Sequence, residues 1–172
     1  MRFAILMLIL AVHAVSVGKA NAFCFETAGS RYGISPNLLY AISKEESSIN
    51  PGAINYNSNG TYDYGLMQIN SSWEPKLRKL GIPWNTLADP CTNVMVGAWV
   101  LSHCIQDYGY TWSAVGCYNS RTPSKRDQYA ARIARIVVRE VTQQPNVLNG
   151  KQVAAITQVN SPWEEVFDNA AH

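Results

Sequence analysis

Four cysteines, Cys24, Cys91, Cys104 and Cys117, constrain this chain most, because all four follow a segment that reads as an export signal. Met1-Arg2 gives a short positive start, Phe3 to Val17 is almost wholly apolar, and Ala20-Asn21-Ala22 supplies the small-x-small pattern that signal peptidases cut after. The apolar run is too short to span a bilayer comfortably. Residues 1–22 are therefore expected to be a cleaved signal peptide, with Phe23 as the mature N-terminus. An even number of cysteines in an exported chain reads as two disulfides formed in an oxidising compartment. Three pairings are open. The favoured one joins Cys24 to Cys91, tying the N-terminal segment to a long helix, and Cys104 to Cys117, joining two neighbouring helices.

Without the signal, about 150 of the 172 residues remain, enough for one domain around one sizeable core. Removing Arg2 and Lys19 balances the remaining basic residues against the 12 acidic ones. A net charge near zero gives no reason to invoke nucleic acid. There is no Cys-x-x-Cys pair, and His103 and His172 are the only histidines after the signal, so no metal site is expected. Neither a nucleotide-binding motif nor an oligomerisation signal stands out, and the chain is expected to act as a monomer without a cofactor.

Local signals divide the domain. Ser35-Pro36 opens a helix, with Ser suited to the N-cap and Pro to the first helical position. Leu38, Leu39 and Ile42 form its apolar stripe to about Ser48, where Asn50-Pro51-Gly52 ends it. Ile54 to Tyr64 is short, polar and aromatic, with Asn59-Gly60 as a hairpin turn. A helical pattern returns after Gly65. Asp89-Pro90 caps a long helix in which Val94, Ala98, Leu101, Ile105 and Tyr108 recur at helical spacing. Thr111 begins a short helix reaching Tyr118, and Ser124 begins another, with Tyr129, Ile133, Ile136 and Val137 on one side and Arg132, Arg135 and Arg139 near the other. Residues 23–141 are read as the domain, mainly α with a small β-hairpin, and 142–172 as a flexible tail.

Two carboxyls stand out for chemistry. Cleaving a glycosidic bond needs one acid that keeps its proton near neutral pH, hence an apolar and partly buried one, and a second, negative group facing the developing oxocarbenium ion. On a helical wheel started at Leu38, the stripe centres at about 50°, Glu46 falls at about 80° and Glu45 at about 340°. Glu46 thus lies nearer the apolar face, where a carboxylate is costly unless protonated or used, and Glu45 reads as the solvated neighbour. The other reading of Glu46 is a helix C-terminal residue bonded to local amides. Asp63 follows the hairpin turn, which would carry it back toward the end of the Glu46 helix; alone it reads equally as a solvated strand residue or a turn former.

The stretch from Glu46 to Trp73, with Glu46-Ser47, Asp63-Tyr64-Gly65 and Gln68-Ile69-Asn70-Ser71-Ser72-Trp73, resembles the active-site segment of c-type lysozyme and the transglycosylase SLT domain. The seventeen positions between Glu46 and Asp63 match the lysozyme spacing without a gap. Gly65-Leu66-Met67-Gln68 resembles the second signature of lytic transglycosylases, and Gly116-Cys117-Tyr118-Asn119 their third, from which Cys117, Ser120 and Arg121 depart. Tyr129-Ala130-Ala131-Arg132-Ile133 resembles their final Tyr-containing helix. The nearest subgroup is the small exported transglycosylases of type III and type IV secretion, conjugation and pilus systems, in which an early Cys and a later Pro-Cys, here Cys24 and Pro90-Cys91, also recur.

The resemblance implies a mainly α, lysozyme-like fold and a periplasmic enzyme that cuts the MurNAc–GlcNAc β-1,4 bond of peptidoglycan strands. Glu46 would protonate the leaving oxygen, then act as base on the C6 hydroxyl to leave a 1,6-anhydro-muramoyl product; Asp63 would face the positive ring. Ser47 would orient the acid, Met67, Gln68 and Asn70 would line the cleft, and Tyr118 and Asn119 would hold the glycan and the Glu46 carboxyl. Against these stand blander readings: Met67 and Ile69 as core, Tyr118 as a core residue with its hydroxyl bonded, Trp73 and Trp84 as packing rather than sugar stacking. Gln68 and Asn119 are amides between apolar neighbours, where burial demands partners. Alternatives for the whole are a hydrolytic muramidase in the same cleft and a peptidoglycan-binding assembly factor without turnover.

Overall fold

The computed structural model describes residues 23–143; the expected signal peptide and all but the first two residues of the expected tail lie outside the described residues. Among the described residues six α-helices accompany a small sheet. They are α1 (Phe25–Tyr32), α2 (Pro36–Ser47), α3 (Glu74–Lys79), α4 (Pro90–Tyr108), α5 (Trp112–Asn119) and α6 (Pro123–Gln143), with strands β1 (Ile54–Tyr56), β2 (Tyr62–Tyr64) and β3 (Ile69–Asn70) between α2 and α3. This is the mainly α architecture with a small β-excursion expected from the sequence.

The helix starts follow from their caps. Asp89 accepts a hydrogen bond from the Thr92 amide, and Pro90 occupies the first turn of α4, where its missing N–H costs nothing. Thr111 does the same for α5 through the Ala114 amide. At α2 only half of the expectation holds: Pro36 takes the first turn, but the Ser35 side chain makes no capping bond. The Ser35 carbonyl instead accepts from the Leu38 and Leu39 amides, and its own amide donates to the Tyr110 hydroxyl.

Leu38, Leu39 and Ile42 of α2, Val94, Ala98 and Leu101 of α4, and Tyr129, Ile133 and Val137 of α6 all point into one core. Burying each of the larger aliphatic side chains contributes about 1.5–3 kcal/mol. Disulfides join Cys24 to Cys91 and Cys104 to Cys117, the pairing favoured above. The first ties the start of α1 to the first turn of α4, and the second staples α4 to α5. Glycine permits a close contact here: a Cβ on Gly116 would sit 2.2 Å from the Arg126 carbonyl oxygen, so α5 packs directly on the α6 backbone. Among the described residues no helix is long and apolar enough to cross a membrane.

Three elements depart from the sequence reading. Helix α1 was not foreseen, because its eight residues make only about two turns and fully bury only Ala28 and Gly29, with Phe25 and Tyr32 half-buried beside them. Residues after Gly65 do not return to helix at once but turn and form β3, a two-residue strand too short to register as alternation. Helix α6 runs to Gln143, two residues beyond the expected domain end.

Candidate active site

The sheet is antiparallel in the order β1-β2-β3, and Asp63 pairs with Asn55 on one side and Asn70 on the other. Directly opposed residues share a face, so Asn55, Asp63 and Asn70 form one polar face of the sheet. The hairpin closes through Asn57 to Thr61, with the Asn57 amide donating to the Thr61 carbonyl at 2.8 Å and Gly60 at a φ of 84°. The foreseen Asn59-Gly60 turn is therefore part of a longer loop. Asp63 is held by two side-chain amides, Asn57 Nδ2 donating to Oδ2 at 2.9 Å and Asn70 Nδ2 to Oδ1 at 2.7 Å.

Glu46 is the penultimate residue of α2, just before an abrupt reversal. Ser48 and Ile49 both adopt the left-handed region, with φ of 53° and 64°, and their amides return to the carbonyls of Lys44 and Ser43. A β-branched residue in that region is strained, and the reversal sends the chain into β1 so that Asp63 comes round to Glu46. Burial pushes the Glu46 carboxyl up to about 7; the negative charges of Asp63 and Glu45 push the same way, while the Tyr129 hydroxyl and the Arg132 guanidinium oppose them. The two carboxyls therefore sense each other across the gap between α2 and the sheet. Glu45, the expected solvated neighbour, is half-buried and ion-paired with Arg132 of α6.

The hydrogen bond to Glu46 comes from a residue the sequence reading left out of the site. The Tyr129 hydroxyl of α6 donates to Glu46 Oε1 at 2.5 Å. Burial beside that carboxyl pushes the Tyr129 phenol well above its ordinary value, so it remains a donor. Its signal was its place on the apolar side of the last helix, within a segment that resembled the family's Tyr-containing helix.

The other expected site residues divide. Tyr118 donates to the Met67 carbonyl at 2.7 Å, and the nearby Glu46 and Asp63 charges, after burial itself, raise its phenol well above the usual value. It borders both acids but does not bond Glu46. Asn119 ends α5 exposed to solvent, so the burial argument for it fails. Met67 does not line a cleft: it is fully buried against the bare backbone of Gly97, and its sulfur accepts from Ser43 Oγ at 2.8 Å.

Gln68, 9% exposed, spends its amide on structure, donating to the Ala53 and Gly65 carbonyls and accepting from Asn55 at 2.6 Å. Its φ of 46° is a second left-handed kink beside the site. Asn70 holds Asp63. Ser47 Oγ donates to the Leu66 carbonyl at 2.9 Å, fixing the end of α2 to the loop before β3 without touching the Glu46 carboxyl. Asn93 of α4 was not foreseen. It is 1% exposed and pins that same loop, accepting from the Met67 amide at 2.8 Å and donating to the Tyr64 carbonyl. Gly65, at a φ of 78°, lets it in: a Cβ there would stand 2.2 Å from Asn93 Nδ2.

Trp73 and Trp84 are both half-buried; Trp73 packs edge to face against Trp99, and Trp84 against Tyr62. A protonated, sheltered carboxyl near a second, amide-held carboxylate can deliver a proton to an oxygen while a positive centre forms opposite.

Residues 23–135 match the family described as transglycosylase SLT domain. The chain is 44% identical over 128 residues to the invasion protein IagB of Salmonella typhimurium (strain SL1344), covering 74% of this chain and 80% of that protein. It is 37% identical over 139 residues to protein IpgF of Shigella flexneri, covering 80% and 88%. The fold is similar to the X-ray structure of an inactive mutant of lytic transglycosylase Slt from Pseudomonas aeruginosa, with a TM-score of 0.58 and 20% identity over 73% of this chain. The match covers 24% of that chain, so this protein corresponds to about a quarter of it.

Fold and family together define a lysozyme-like enzyme that cleaves glycosidic bonds. The chain belongs to the transglycosylase SLT domain family.

Proposed function

We propose that this protein is a lytic transglycosylase of the bacterial cell wall, with Glu46 as its acid and Asp63 facing the reacting sugar. The observation that carries this reading is the Glu46 carboxyl, pushed by burial to about 7 and aimed by Tyr129. At neutral pH much of it is protonated, the form that can donate to the oxygen between MurNAc and GlcNAc. Bond cleavage leaves positive charge on the muramoyl ring, opposite Asp63, and the proton lost from Glu46 goes to the departing sugar. The resulting Glu46 carboxylate removes the proton of the C6 hydroxyl as that oxygen closes on C1. The product is a 1,6-anhydro ring, water is not consumed, and Glu46 recovers its proton.

Residues 23–141 would be the catalytic domain, delivered to the periplasm by a cleaved segment 1–22. A relative named as an invasion protein supports a role in opening the wall locally for a secretion, conjugation or pilus apparatus. A hydrolytic muramidase is the second reading, favoured by the presence and firm anchoring of Asp63. Digestion of purified sacculi followed by mass spectrometry separates the two. Anhydro-muropeptides are expected; reducing ends alone would overturn the transglycosylase and leave the muramidase.

A further inference from the structure

The face of the sheet opposite Asp63 carries a different surface. Alternation places Ile54, Tyr56, Tyr62 and Tyr64 together on it. At its inner end it meets the core through Ile69, while at its outer end Tyr56 is 84% exposed. Tyr56 and Tyr62 lie with ring centroids 6.1 Å apart, and Trp84 stands edge-on to Tyr62 at 5.8 Å. Beyond Trp84 opens a cavity of about 460 Å³ lined by Glu74, Arg78, Gly81, Pro83, Trp84 and Asn85. Glu74 and Arg78 sit one helical turn apart on α3, and among the described residues neither has an ion-pair partner.

A hydrophobic core does not need this combination. The Trp84 ring, two uncommitted opposite charges and a side-chain amide around one open cavity, approached over the Tyr62 and Tyr56 rings, suit a ligand with apolar C–H faces, hydroxyl and N-acetyl groups, and a carboxylate. We propose that this cavity and its aromatic approach form a second glycan-binding site, which holds a further length of peptidoglycan strand on the sheet's outer side while the Glu46–Asp63 gap works on another. Trp84 stacks on a sugar ring, Arg78 takes a stem-peptide carboxylate, and Glu74 with Asn85 meets hydroxyl and N-acetyl groups. The proposal rests on the peptidoglycan substrate proposed above. It explains why an enzyme whose substrate is a solid mesh exposes tyrosine so fully away from its acids: a second hold keeps it on the mesh between cuts.

Binding can be read without turnover. Glu46→Gln protein is sedimented with protein-free sacculi, and Arg78→Glu and Trp84→Phe are each added in that background. Each is expected to weaken binding roughly fivefold to tenfold, while Lys79→Glu, a charge reversal on the same helix outside the cavity, changes it less than twofold. Binding by Arg78→Glu within twofold of its parent, or an equal loss with Lys79→Glu, overturns the site. If Trp84→Phe proves unfolded by circular dichroism, the exposed Arg78 decides alone. Wild-type digestion of the same sacculi is followed in parallel. Intact binding without released fragments would count against the activity and leave this site standing.

Discussion

Tyr129 and Glu46, 83 residues apart in the chain, meet through one hydrogen bond from the phenol to the carboxyl. It joins α6 to α2, beside the Arg132–Glu45 and Glu140–Lys44 pairs that bind the same two helices. The hydroxyl favours the charged form of Glu46, whereas burial, the larger influence, favours the neutral one.

Replacing Tyr129 by Phe is therefore expected to move the alkaline limb of the activity profile to higher pH, while lowering the maximal rate roughly tenfold through lost orientation. A lower rate with an unmoved limb would make Tyr129 a packing residue only.

Asp63→Asn should shift that limb the other way, because the Asp63 charge raises the Glu46 carboxyl. The rate is expected to fall roughly tenfold to hundredfold, less than for loss of the acid itself. Sacculus digestion across pH 5 to 9 reads both effects.

Glu46→Gln should remove release of soluble fragments by about a thousandfold or more while preserving the disulfides and helix content. Retention of full activity would falsify the assignment of the acid.

The same variant carries a stability prediction. The folded protein holds the Glu46 proton more tightly than the unfolded chain, so that contribution is fully present below pH 4.5 and is lost as pH rises through about 7. Glutamine does not titrate. Glu46→Gln is expected to match wild type at pH 4 and to exceed it by about 3 kcal/mol at pH 8. Urea unfolding at the two pH values checks this, and an equal difference at both would mean that burial does not hold the proton.

Asn93→Ala should cost roughly 2–4 kcal/mol, since it strands the buried Met67 amide and empties space beside Gly65. Thermal unfolding measures it, and a loss below 1 kcal/mol would mean that the loop before β3 finds other support.

Much of the fold was legible because its signals are local. Pro36, Asp89 and Thr111 mark helix starts wherever the chain is read, and the stripes on α2, α4 and α6 name their buried faces. The candidate site was legible through the fixed spacing of Glu46 and Asp63 in a recognisable stretch. What escaped depends on where distant segments meet. Tyr129 looks like any core tyrosine until α6 is laid against α2, and Asn93 looks like a polar break in an apolar helix until Gly65 vacates room for it. Met67 went the opposite way: its place in a signature suggested the cleft, but Gly97 opens a hole in α4 that only a flexible side chain fills. The burial argument for Asn119 failed because apolar sequence neighbours do not bury the final residue of a helix.

The bridge from Cys24 to Cys91 encloses α2 and the whole sheet, and so both acids, in a single ring of chain. Closing a ring of that span withdraws about 4 kcal/mol of freedom from the unfolded polypeptide. Where thiols are kept reduced, the segment bearing Glu46 and Asp63 is moored to α4 by packing and the Asn93 hydrogen bonds. The covalent ring that encloses both acids thus closes only in surroundings oxidising enough to form it.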